Sequence, residues 1–99
     1  MNEGHHIYLV AYDITEPKRW RKIYKILKNH GVALQYSVFR CSLLPEEQLV
    51  MVHKLLLVAH LREDKLLVAD LGGRDTRGRD AIVIYGEAVP DITRGPIIL

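Results

Sequence analysis

A single cysteine, Cys41, in a chain of 99 residues rules out an internal disulfide. With no Cys-x-x-Cys pair and no Cys/His ligand spacing, a structural zinc site is not expected either. Cys41 is therefore read as a small buried hydrophobe. No apolar run reaches the roughly 18 to 20 residues that span a bilayer, and the opening MNEGHH lacks the cationic-then-apolar order of a signal peptide, so no membrane partner and a cytoplasmic setting are expected. Also missing are a glycine-rich phosphate cradle, a Ser/His/Asp set and a paired-carboxylate motif. Aromatic residues are few, and the segment 65–71 has no glycine between basic and aromatic residues, which argues against a base-stacking sheet like that of RNA-recognition domains. The five histidines are scattered and read as surface or core residues. The length allows one core only, so a single domain over 1–99 is expected and two-domain enzymes are excluded.

What the chain does have is a local excess of positive charge. Its formal net charge is only +2, yet seven of its 14 cations (Lys18, Arg19, Arg21, Lys22, Lys25, Lys28 and Arg40) and none of its 12 acids fall between Pro17 and Arg40. A basic patch on a mildly acidic body points to a polyanion partner. The cations of the first helix lack the acidic neighbours at i,i+4 that ordinary exposed helices use, so a solvated face is the weaker explanation.

The apolar run from Ile7 to Tyr12 predicts a buried strand that opens into a loop at Asp13. Thr15 can cap the following helix, Pro17 is tolerated in its first turn, and Trp20, Ile23, Tyr24 and Leu27 share one face. Trp20 is read as core on that spacing. Gly31 is expected to close this helix. Leu34 to Cys41 reads as one second strand. Pro45, Glu46 and Glu47 start a second helix with a poor cap at Leu44, and Leu49 to Leu61, apolar almost all round, predicts that this helix is largely buried. Leu66 to Leu71 and Ala81 to Tyr85 are further strand-length runs, joined by the open loop GGRDTRGRD at 72–80, whose Arg74, Arg77 and Arg79 are matched by Asp70, Asp75 and Asp80. The strict count is strand, helix, strand, helix, strand, strand; the order β-α-β-β-α-β is the alternative. Both suit an α+β, ferredoxin-like sandwich, an antiparallel sheet with two helices on one face. A core over 1–86 would then leave 87–99 as a C-terminal segment. Its end, Ile97, Ile98 and Leu99, is too apolar for a free tail and is expected to add a strand to a sheet edge, that of a partner protomer above all.

Asp13 is the leading candidate for chemistry, because it is an isolated acid where an apolar strand runs out. Two readings stay open: a metal ligand, since magnesium takes one or two carboxylates and completes its shell with water and phosphate, or an Asx-turn onto the Ile14 or Thr15 amide. A two-fold dimer through this strand end would supply a second Asp13.

Three stretches, YLVAYDIT (8–15), KRWRKIYKILKNHG (18–31) and QYSVFRCSL (35–43), resemble the CRISPR-associated protein 2 family. The likeness is close over the first half and lies mainly in element order over the second. It implies a ferredoxin-like homodimer acting in CRISPR spacer acquisition between dimers of the CRISPR integrase. It also implies a magnesium- (or manganese-) dependent endonuclease on single-stranded RNA or duplex DNA, or a scaffold without catalysis. By this resemblance Asp13 matches the metal-binding aspartate, Tyr12 the residue before it, Arg19 and Arg21 the arginine cluster, and Ser37 and Phe39 the second-strand motif. Lys18, Arg19, Arg21, Lys22, Lys25 and Lys28 are the expected nucleic-acid contacts. The chain departs from the family in placing Trp20 between its arginines, Leu44 at the helix cap and a longer 72–80 loop. A toxin-like ribonuclease of similar fold is a further alternative.

Overall fold

The computed structural model describes residues 4–73. The predicted strand at 81–85, most of the 72–80 loop and the segment 87–99 lie outside them. Six elements follow in the order β1 (His6–Asp13), α1 (Pro17–Lys28), β2 (Gly31–Gln35), β3 (Val38–Leu43), α2 (Pro45–Val58) and β4 (Lys65–Gly73). The strands form one antiparallel sheet, β2-β3-β1-β4, which with its two crossover helices is the ferredoxin-like α+β arrangement. Among the described residues no helix is long and apolar enough to cross a membrane.

Alternation along β1 decides which face the helices cover. Tyr8, Val10 and Tyr12 point to one side and pack with Phe39, Cys41 and Leu43 of β3, Trp20, Ile23, Tyr24 and Leu27 of α1, and Met51 and Leu55 of α2. The other side carries Leu9, Ala11 and Asp13. Register places these beside Arg40 and Val38 on β3 and beside Ala69, Leu67 and Lys65 on β4. Leu67 is 55% exposed there. Cys41 sits fully buried, as expected, and burial pushes its thiol up to about 11.

Four sequence expectations need correction. Leu34 to Cys41 is not one strand: a two-residue turn at Tyr36 and Ser37 splits it into β2 and β3, so the β-α-β-β-α-β order holds over the described residues. Nothing in Tyr-Ser carries the usual hairpin signal of Asn or Gly. Gly31 does not close α1. Asn29 does so in a right-handed helical conformation, and Gly31 opens β2, where a Cβ would collide with the Arg40 carbonyl and the Cys41 sulfur. Thr15 is not the cap of α1; the Glu16 carboxylate accepts the Arg19 N–H at 2.9 Å instead. Finally, α2 buries only Met51 and Leu55 fully, leaving Leu49, Val50, Leu56 and Leu57 exposed. Its cap is half a capping box: Leu44 N–H donates to Glu47 at 2.8 Å, and the Leu44 side chain has no oxygen with which to answer.

Candidate functional site

Asp13 is the last residue of β1, exposed, on the face turned away from the helices. Among the described residues nothing donates to its carboxylate, so the Asx-turn is not formed. The amide that such a turn would use, Thr15 N–H, donates elsewhere, to Asp64 Oδ1 at 3.2 Å. Across the sheet, Asp13 is in register with Lys65, and directly opposed antiparallel residues share a face. Asp13, Lys65, Asp64, Leu61 and Leu67 line an open concavity of about 540 Å³ at this end of the sheet.

Asp64 is the charged residue that sequence reasoning missed. Its side chain is fully buried, and it accepts from Thr15 N–H, Thr15 Oγ1 (3.4 Å), His60 N–H (2.8 Å) and, through both oxygens, the Arg19 guanidinium (Nε 2.8 Å, Nη2 3.2 Å). These bonds, Arg19's first, hold its carboxyl at about 2, against the desolvation that would raise it. Arg19 also donates from Nη2 to Glu63 at 2.9 Å, and its carboxylate partners keep it charged. A signal was present in the run Glu63-Asp64-Lys65, which leads into an apolar strand as Asp13 leads out of one. Antiparallel pairing of two such strands brings both polar ends together.

Tyr12 and Phe39 belong to the core. The Tyr12 hydroxyl donates to the Tyr36 carbonyl at 2.7 Å and its amide to the Ser37 carbonyl at 3.0 Å, which ties β1 to the β2–β3 turn. Burial raises the Tyr12 phenol far above its ordinary value, so it is no proton donor or acceptor for chemistry near neutral pH. The Phe39 ring is wholly buried, edge-on to Tyr24 at 5.3 Å, and Trp20 stacks on Tyr24 at 5.0 Å. Of the remaining expected residues, Ser37 sits half-buried in the β2–β3 turn, its carbonyl held by Tyr12 N–H, and Lys18, Arg21, Lys22, Lys25 and Lys28 occupy the exposed arc of α1. The structure therefore sets two groups apart within one chain: a carboxylate on the open sheet face, and a row of cations on the outside of the helical layer.

For a metal, the donor set is sparse. Among the described residues no cluster of three or more His, Cys, Asp or Glu forms, and Asp64 is committed to its own donors. At this end of the sheet, among the described residues, Asp13 alone offers an uncommitted carboxylate, since Glu63 and Asp64 are both held by Arg19. One hard oxygen ligand fits magnesium or manganese, which keep several waters, better than zinc, whose sites take three or four protein ligands, mostly His and Cys.

Fold and site together define a class: a small ferredoxin-like α+β protein with an acidic strand end and a basic helix. Its family follows from comparison. The family model described as CRISPR associated protein Cas2 matches residues 6–78, and the chain belongs to that family. It is 39% identical over 98 residues to the CRISPR-associated endoribonuclease Cas2 1 of Rhodospirillum rubrum, covering 99% of this chain and 95% of that protein. Identity to the CRISPR-associated endoribonuclease Cas2 of Geobacter sulfurreducens is 37% over 67 residues, covering 68% of this chain and 70% of that protein. Among solved structures, Streptococcus pyogenes Cas2 superposes with a TM-score of 0.68 at 28% identity, covering 81% of this chain and 99% of that one. A hypothetical protein, TT1823, from Thermus thermophilus superposes with a TM-score of 0.72 at 26% identity, covering 95% of this chain and 98% of that one.

Proposed function

We propose that this chain is a nucleic-acid-binding homodimer of CRISPR spacer acquisition, partner to the CRISPR integrase, and an endonuclease that hydrolyses phosphodiesters of single-stranded RNA or duplex DNA at Asp13. The observation that carries this reading is the exposed, uncommitted Asp13 carboxylate at the end of β1, facing Lys65 across the register. The names of the relatives, endoribonucleases of CRISPR systems, support the substrate class. The half-apolar sheet face that bears Asp13 suits a second copy, and a two-fold axis there would bring the two Asp13 residues toward each other.

In this reading Asp13 holds a magnesium or manganese ion. When bound, such an ion polarises a phosphoryl oxygen and lowers the pKa of its water. Lys65, exposed beside Asp13, offsets charge on the phosphate. The α1 cations hold the rest of the strand through its backbone, without sequence preference.

Cleavage of labelled RNA and duplex DNA, with and without magnesium, by wild type and Asp13→Asn tests the proposal. Asparagine keeps the side-chain size and removes the charge, so cleavage should fall at least ~100-fold while affinity changes little. Equal cleavage by a nuclease-free mutant preparation would exclude Asp13. The separation of Asp13 from the α1 cations within one chain favours a second reading, a scaffold that binds without cutting. Binding without cleavage by both proteins would establish it.

A further inference from the structure

The arginine at position 19 is spent before any substrate arrives. Its guanidinium grips Asp64 with two nitrogens and Glu63 with one, and the side chain keeps only 21% of its surface open. One cation against two acids leaves this cluster formally negative, which repels a phosphate. Arg21, Lys22 and Lys25, by contrast, are exposed on the outer arc of α1. What the Arg19 cluster does hold is backbone. Asp64 takes the N–H and hydroxyl of Thr15, a single residue after Ile14 and two after Asp13, and it directly precedes Lys65, the register partner of Asp13. It also takes the His60 N–H, while Asp64 N–H returns to the His60 carbonyl at 2.8 Å, which closes the α2–β4 turn on itself. A planar fork suits this task as a flexible ammonium does not, because it can meet both oxygens of one carboxylate at once.

We infer that Arg19 is a positioning residue and not a phosphate contact: through Asp64 it clasps the segment after Asp13 to the start of β4, and so fixes the backbone from which the Asp13 carboxylate projects. This rests on the role given to Asp13 above. Arg19→Gln removes the cation, whereas the charge-keeping Arg19→Lys still offers the buried carboxylate a positive partner, so Arg19→Lys remains testable even where Arg19→Gln or Asp64→Asn does not fold.

Three measurements on the full chain decide it. First, binding of RNA and duplex DNA in chelator across a salt series: Arg19→Gln should keep the wild-type affinity within about twofold and the same salt slope. A slope lower by about 0.9 for each lost phosphate contact would show that Arg19 meets phosphate and overturn the inference. Second, single-turnover cleavage: Arg19→Gln should lower the rate constant at least ~10-fold with KM unchanged, Arg19→Lys should recover part of the loss, and Arg19→Gln combined with Asp64→Asn should be no worse than the poorer single variant. A wild-type rate in Arg19→Gln would reduce the clasp to a structural tie. Third, the backbone torsions of Ile14 and Thr15, read from three-bond couplings, should be fixed in wild type and averaged in Arg19→Gln, with faster amide exchange at Thr15. This last readout needs no activity. Unchanged couplings overturn the clasp whether or not the wild type cleaves, whereas a silent wild type with altered couplings overturns only the nuclease reading.

Discussion

At the scale of single residues, two groups with displaced pKa values make opposite predictions. Asp64 titrates at about 2 in the fold, below the usual carboxylate value near 4. A depressed native pKa adds stability that is fully present above the unfolded value and is lost as pH falls through the native one. Wild type should therefore lose stability between about pH 4 and pH 2, and Asp64→Asn, with nothing to titrate there, should show a flatter profile in urea melts. Near neutral pH the same substitution should cost on the order of 2 kcal/mol, toward the low side for a broken buried pair because Arg19 can recover water. Cys41 moves the other way. Its thiol, raised to about 11 and fully buried, should resist a thiol reagent at pH 8 in the native protein and react on unfolding. A fast native reaction would show that β3 opens locally.

At the scale of elements, α2 departs furthest from what its composition suggests, burying only Met51 and Leu55. Leu49, Val50, Leu56 and Leu57 look interchangeable with Met51 and Leu55 in composition, but one helix resting on one sheet can bury only an arc of itself. Leu55→Ala should thus cost about 2 to 5 kcal/mol, whereas Leu57→Ala should stay within about 0.5, as equilibrium unfolding would show. The helix α1 was legible because its apolar spacing and its cations segregate cleanly. The β2–β3 hairpin was not, since Tyr36 and Ser37 carry no turn chemistry and the bend is imposed by pairing with neighbours. Asp13 was legible as an isolated acid at a strand end. For Asp64 the acidic run before β4 hinted at a polar strand end but not at a role, because its partners Thr15 and Arg19 lie 49 and 45 residues away and only strand pairing brings them near.

At the scale of the whole molecule, the uneven charge carries the prediction. If a dimer neutralises about six phosphates, its affinity for duplex DNA should fall about 10³-fold between 50 and 200 mM salt, and charge reversal at Lys22 and Lys25 should flatten that slope. An unaltered slope would place the binding surface elsewhere. The open sheet face makes a separate claim: Leu67→Glu, set among Leu9, Ala11 and Ala69, should shift sedimentation toward monomer, because it places a charge in the surface assigned to the second copy. Truncation after Pro90 asks the same of the C-terminal segment, whose residues lie outside those described. The Asp64 clasp also has a bearing on how quickly the protein comes apart. It closes a loop of nearly fifty residues, and chain entropy makes such long-range links form after the α1 and β2–β3 contacts that lie close in sequence. Interactions absent at the barrier to folding act on the reverse step, so loss of the clasp should speed unfolding and leave refolding nearly unchanged in a chevron plot. The bond that fixes the backbone beside Asp13 would then also be the latch that sets the lifetime of the native state.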